Sequence, residues 1–145
     1  MLFLTVAVPS QCYDYKTLSS SKRRFDLRKL VSEADVKCDG NDGRKNPDWN
    51  GPGWYRVVGQ AGTKLSETPY DVNDGNRGYA CNTYYGGWLT GGHPSSIGET
   101  VARTVCHHTK YCRSLEKTSI EVTKCNGYYV YNLKEKVCPR GYCTQ

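Results

Sequence analysis

The chain is short of aliphatic and purely apolar aromatic side chains: two Phe and one Met stand among 145 residues, of which 37% are hydrophobic, and the mean hydropathy is −0.69. A core of hydrocarbon alone is excluded at this length, so a single domain must find other stabilisation. No stretch approaches the ~20 apolar residues of a membrane-spanning helix. No Asn-x-Ser/Thr acceptor occurs, which excludes an N-linked glycan carried by these residues. No two cysteines have the two-residue gap of a zinc knuckle or a thioredoxin-like redox pair. The carboxylates show no sequence pairing that nominates a glycosidase couple, and no nucleophile-elbow pattern is present. No enzyme activity is expected.

What is present is twelve Tyr, three Trp and eight Cys, the latter at 12, 38, 81, 106, 112, 125, 138 and 143. Tyr and Trp pair a large apolar body with a polar handle. An even, widely spaced cysteine set reads as four disulfides formed in an oxidising compartment, and spacing alone leaves their pairing open. A bridge closing about 100 residues contributes roughly 4–5 kcal/mol in the chain-entropy model, so four can offset a small core.

Residues 1–11 carry the apolar run Leu2 to Val8 followed by Pro9-Ser10. They read either as the tail of a secretory signal, shorter than usual and without a basic start, or as a β-prone N-terminal strand. Residues 12–145 read as one domain. The segment Ser19 to Val31 has serine start signals and near-helical apolar spacing, which predicts one short helix. Residues 39–53 and 71–78 are loop chemistry. Period-two patterning predicts strands at 54–58, 100–105, 119–124 and 128–133, with Asn126-Gly127 as the turn of a hairpin. The fold class expected is mostly β: a single disulfide-stapled antiparallel domain with long loops and one short helix.

An ordered series of motifs specifies more. Cys12 and Cys38 are followed by GWYRVVGQAG at 53–62, SET at 66–68, Trp88-Leu89, GHPSS at 92–96, VARTVC at 101–106, Cys112, CNGYYVYNL at 125–133 and GYCT at 141–144. This series resembles the eight-cysteine domain of the uromodulin family over roughly residues 12–144. The resemblance implies an extracellular module tied to adhesin capture and host-surface glycan biology. It also implies the bridges Cys12 to Cys125, Cys38 to Cys138, Cys81 to Cys143 and Cys106 to Cys112. Where one member of the family has a further cysteine pair, this chain has Pro69 and Arg113, so both halves of that bridge are missing together.

Candidate reactive groups are few. Cys106-His107-His108 with Cys112 offers metal donors, but oxidation consumes the thiols, and no metal or cofactor is expected. The Asp39–Gly43 and Asp71–Gly75 stretches lack the ordered ligands of a calcium loop. His93 before Pro94 reads as a surface turn. Lys22, Arg23, Arg24, Arg28 and Lys29 form a basic run on a chain of net charge +6, suited to a solvated helix face or to an anionic glycan or protein surface. Arg56 and Arg103 read as structural residues on tyrosines or backbone carbonyls. Trp54, Tyr129 and Tyr131 are assigned to the core, and Trp49, Trp88, Tyr84 and Tyr85 to the surface.

The function expected is noncatalytic extracellular recognition, in adhesion, matrix or host defence. The ligand-binding group is Tyr84, Tyr85, Trp88 and His93 with Lys22, Arg23, Arg24, Arg28 and Lys29. The partner is an extracellular protein or a glycan, anionic for preference, and not nucleic acid. The alternative is a structural subunit that self-assembles through strand addition by residues 2–8.

Overall fold

A computed structural model describes residues 7–25, 36–69, 81–107, 112, 116–138 and 140–145. Seven strands form one sheet: β1 (Lys16–Leu18), β2 (Gly53–Val57), β3 (Tyr85–Leu89), β4 (Thr100–Cys106), β5 (Lys117–Lys124), β6 (Tyr129–Leu133) and β7 (Arg140–Tyr142). Their spatial order is β1-β2-β6-β5-β4-β3-β7. The four central pairings are antiparallel, as the patterning predicts. The two outermost, β1 with β2 and β3 with β7, are parallel, joining segments far apart in sequence.

Alternation sets the faces. In β5, Thr118, Ile120 and Val122 are buried while Lys117, Ser119 and Glu121 are exposed, the period of a half-buried strand. Val122 lies opposite Tyr131 of β6 and Val101 of β4. The core gathers these residues with Leu18, Tyr55, Val57, Leu65, Leu89, Val105 and Leu133. Tyr131 is a core residue as expected, whereas Trp54 is half-buried on the opposite face, beside Cys12, Cys125 and Val130. That second cluster also takes Val8, the last residue of the apolar N-terminal run, against its own chain. Residues 1–6 lie outside the described residues.

The hairpin β5–β6 forms, with Lys124 paired to Tyr129 and the Cys125 N–H donating to the Tyr128 carbonyl at 2.8 Å. Its turn differs from the expected type: Gly127 has φ +88°, whereas Asn126 is not among the residues with positive φ. The predicted helix is, in its described part, one 3-10 turn at Ser21–Arg23, N-capped by the Ser20 side chain. Arg24 then turns extended and bridges to Thr144. Residues 26–35, with Arg28 and Lys29, lie outside the described residues, as do the calcium-like loop at 71–75 and His108. The described residues contain no α-helix, hence none long and apolar enough to cross a membrane.

The bridges are Cys12–Cys125, Cys38–Cys138, Cys81–Cys143 and Cys106–Cys112, the pairs implied by the family resemblance. Three of them tie the early chain to residues 125–143.

Trp49, expected at the surface, is 2% exposed. Its ring stacks on Tyr55 of β2 at 5.1 Å and 7°, and tilts against Tyr142 of β7 at 6.1 Å. Tyr55 and Tyr142 belong to opposite ends of the strand order, so Trp49 fills the place where the curled sheet turns back on itself.

Candidate binding surface

Three groups of side chains concentrate the chemistry, and two of them are closed. The first surrounds Arg23. Its guanidinium reaches Asp39 with Nη1 to Oδ2 at 2.7 Å and Nη2 to Oδ1 at 2.6 Å, and Asp48 with Nε to Oδ2 at 2.8 Å and Nη2 to Oδ1 at 2.6 Å. Asp39 also accepts from Asn46 and from the Tyr142 N–H. Burial works against the guanidinium charge, yet the two carboxylates hold its pKa above the ordinary value. Burial likewise pushes the Asp48 carboxyl up, but bonds from Arg23 keep it below the usual range. Arg23 is therefore not a ligand-binding surface cation. Charge density along the run at 22–29 gives no sign of the two acids that folding brings in from residues 39 and 48.

The second closed group holds His93. Nδ1 lies 2.7 Å from Glu67 Oε1 and Nε2 lies 2.7 Å from the Tyr131 hydroxyl, which accepts from the Leu65 N–H. The Glu67 carboxylate can only accept, which assigns the proton of the neutral ring to Nδ1 and leaves Nε2 to accept from the Tyr131 hydroxyl. Burial lowers the His93 pKa, with Glu67 opposing. Both ring nitrogens are occupied, so neither is left to take a substrate proton or a ligand, and His93 is withdrawn from the expected binding group. Its side chain is 5% exposed rather than on a surface turn.

The third group is open and sits on β3. Tyr85 is 41% exposed and Tyr84 contacts it at 6.4 Å between ring centroids, while Trp88, opposite Cys106 of β4, is half-buried on the other face of the strand. Glycines at 86 and 87 would ordinarily signal turns. Both instead lie within a strand, and Gly87 serves close packing: an added Cβ would stand 2.6 Å from His107 Cε1 and 2.7 Å from Val105 Cγ1. His107 fixes the strand from beneath by donating from Nδ1 to the Tyr85 carbonyl at 3.1 Å. Burial lowers its pKa to about 4, with Lys136 and Arg140 adding to the effect.

Residues the sequence reading missed join this group. Arg140 is the register partner of Tyr85 across β3–β7, and its guanidinium carbon lies 5.5 Å from the Tyr85 ring centroid. Lys134 and Lys136 lie on the same return loop. The string Lys134-Glu135-Lys136-Val137-Cys138 was visible as a charge cluster, but the denser run at 22–29 drew the assignment. Of that run, Lys22 is exposed and Arg24 half-buried. Elsewhere Arg56 and Arg103 are structural as expected. Arg56 lies 3.8 Å over the Tyr128 ring and bonds the Tyr15 hydroxyl, while Arg103 donates to the Gly92 and Ala102 carbonyls.

A curled, disulfide-stapled sheet with an exposed tyrosine and closed polar clusters defines an extracellular cysteine-rich module. The family model for the uromodulin-like domain of eight cysteines matches residues 55–144, and the chain belongs to that family. It is 44% identical to uromodulin of Rattus norvegicus over 94 residues, 63% of this chain and 14% of that protein. It is 32% identical to the pancreatic secretory granule membrane major glycoprotein GP2 of Canis lupus familiaris over 146 residues, 97% of this chain and 27% of that protein. The human glycoprotein of the same name is 33% identical over 117 residues, 79% of this chain and 21% of that protein. The chain thus spans about a quarter or less of these relatives' lengths. The module is secreted or extracellular, in keeping with its family and its four bridges.

Proposed function

We propose that the chain is a noncatalytic recognition module that binds an extracellular glycan or protein through the aromatic group on β3, with anionic partners favoured. The observation that carries this reading is the presentation of Tyr85. It is a large amphipathic side chain 41% exposed on a strand that is paired on both sides and pinned by His107. A rigidly held aromatic loses little freedom on binding and offers its face to a sugar ring or an apolar side chain. The perturbed groups Arg23 and His93 are already satisfied by their neighbours, which is the pattern of structural polar clusters rather than of a poised catalytic site. The net charge of +6 favours encounter with anionic partners, and exposed Lys22 adds to that field.

A glycan and extracellular-protein array probed with oxidised protein tests the reading. Binding is expected, and Tyr85→Ala should abolish it. Binding by that variant equal to that of the parent would overturn the reading.

A further inference from the structure

The loop that returns from β6 to β7 brings Lys134, Lys136 and Arg140 together without an ion pair. None of the ion pairs among the described residues involves them, and Glu135, between the two lysines, takes part in none either. Lys136 donates to Thr118 Oγ1, and Arg140 is held over Tyr85. The Arg140 Nε is buried and finds no hydrogen-bond partner in the described structure. Asp39, a buried acid paired through its backbone to this loop, spends its side-chain oxygens on Arg23, Asn46 and the Tyr142 N–H. The three cations repel one another: burial, then Arg140 and Lys134, push the Lys136 ammonium below its ordinary pKa. Lys136 and Arg140 also weigh against protonation of His107 beneath the strand. Fixed like charges without a paired counter-ion make a standing demand for an anion.

We infer that Lys134, Lys136 and Arg140, beside Tyr85, form a binding site for the sulfate or carboxylate groups of an anionic glycan. The guanidinium and ammonium groups take the acidic oxygens by charge-assisted hydrogen bonds, and the exposed Tyr85 ring takes the C–H face of the sugar that bears them. A glycan is favoured over an acidic peptide because the exposed Tyr85 ring gives the C–H face of a sugar an aromatic platform beside the cation of its register partner Arg140. The frame is preorganised. The β3–β7 ladder fixes Arg140 and Tyr85, and the Lys134 N–H donates to the Tyr142 hydroxyl, which donates to the Lys134 carbonyl. This inference rests on the recognition reading above and names its ligand class.

The test is a titration of the oxidised chain with a sulfated oligosaccharide, a carboxylated but unsulfated one, and the neutral parent sugar, at low and physiological salt. Two variants of equal charge change are compared: Lys134→Gln with Arg140→Gln, and Lys64→Gln with Lys124→Gln, the first of the control pair beside Glu67 and the second at the hairpin end of β5. The sulfated oligosaccharide should bind more tightly than the neutral sugar, with affinity falling as salt rises. The loop variant should lose on the order of tenfold per cation removed, as for hydrogen bonds to charged groups, while the control keeps most of its affinity. Binding confined to either acidic oligosaccharide supports the site and says which acidic group it takes. Equal losses in both variants would reduce it to net-charge attraction and overturn it, as would no binding by either acidic sugar. A protein or neutral sugar still bound in that last case would leave the broader recognition reading standing.

Discussion

The Arg23 guanidinium lies 2.6 Å from the Asp39 carboxylate, with the two side chains 1% and 0% exposed. Asp39 continues the link to β7 through the Tyr142 N–H, and Asp48 leads to Ser19 and Ser20 after β1 through their N–H groups. One arginine thus joins the first and last strands of the sheet order. Beside it Trp49 fills the apolar part of the same gap by touching Tyr55 and Tyr142. The sheet closes through an ion cluster next to a stacked indole, with one backbone bridge between Arg24 and Thr144 beside them.

Removing one member of this cluster strands a buried charge. Arg23→Gln and Asp39→Asn should each cost about 3–5 kcal/mol, the range for breaking a buried pair from one side. Arg23→Lys should also destabilise, because an ammonium cannot span two carboxylates in the forked geometry seen here. Urea unfolding of the oxidised protein reads the loss. A change below about 1 kcal/mol in Asp39→Asn, the size typical of exposed pairs, would mean that the cluster is hydrated rather than closed.

The positions of β2, β4, β5 and β6, the β5–β6 hairpin and the burial of Tyr131 were legible because they depend on local alternation. Contacts decided by distant partners were not. Arg23 sits in a run of cations, and only the arrival of Asp39 and Asp48 makes it a core residue. Trp49 sits among Asn, Asp, Gly and Pro, which describe its loop correctly, yet the ring turns inward to meet Tyr55 and, from the far end of the chain, Tyr142. His93 reads as a turn residue until Glu67 and Tyr131 close on both nitrogens. The parallel outer pairings, β1–β2 and β3–β7, carry no local signal at all. Glycines at 86 and 87 argued for a loop where they permit a packed strand.

Acid should weaken the fold through its histidines. A histidine whose folded pKa is depressed adds no penalty above its unfolded value near 6.5, and stability falls as pH drops from there to the folded value. For His107, a folded pKa of about 4 corresponds to a loss of roughly 3 kcal/mol across pH 6.5 to 4. His93 shifts in the same direction and adds to the loss in that window. Glu67, lowered chiefly by its bond to His93, contributes stability that is lost at more acid pH, below the ordinary carboxyl value of 4.5. Urea midpoints at pH 7.5, 5.5 and 4.5 should fall in that order. NMR titration should find His107 neutral until near pH 4, and titration near 6.5 would contradict its burial.

The bridges should differ in weight. Cys12–Cys125 spans 113 residues and Cys106–Cys112 spans 6. Loop-closure entropy assigns about 5 kcal/mol to the first and about 2 kcal/mol to the second. Paired serine replacements should reproduce that order in thermal unfolding, and Cys12→Ser with Cys125→Ser should also loosen the cluster of Val130, Trp54 and Val8. Equal losses would show that unfolded-state structure, not loop length, governs the effect.

Gly87→Ala tests the strand that carries Tyr85. The new methyl would meet His107 Cε1 at 2.6 Å, Val105 Cγ1 at 2.7 Å and His107 Nδ1 at 2.9 Å. Those neighbours are themselves buried, so the strand or the imidazole must move, at about 1–3 kcal/mol for overpacking. If the imidazole yields, its bond to the Tyr85 carbonyl breaks, the ring gains water, and its pKa climbs back toward 6.5. If the strand yields, Tyr85 moves away from Arg140 and binding at that edge weakens while His107 stays neutral. Gly43→Ala is the control, because an added Cβ there has nothing within 4 Å. Unfolding measurements combined with the His107 titration separate the two responses. A Gly87→Ala variant as stable as Gly43→Ala would mean that β3 is not packed against His107, and the rigid presentation of Tyr85 would fall with it.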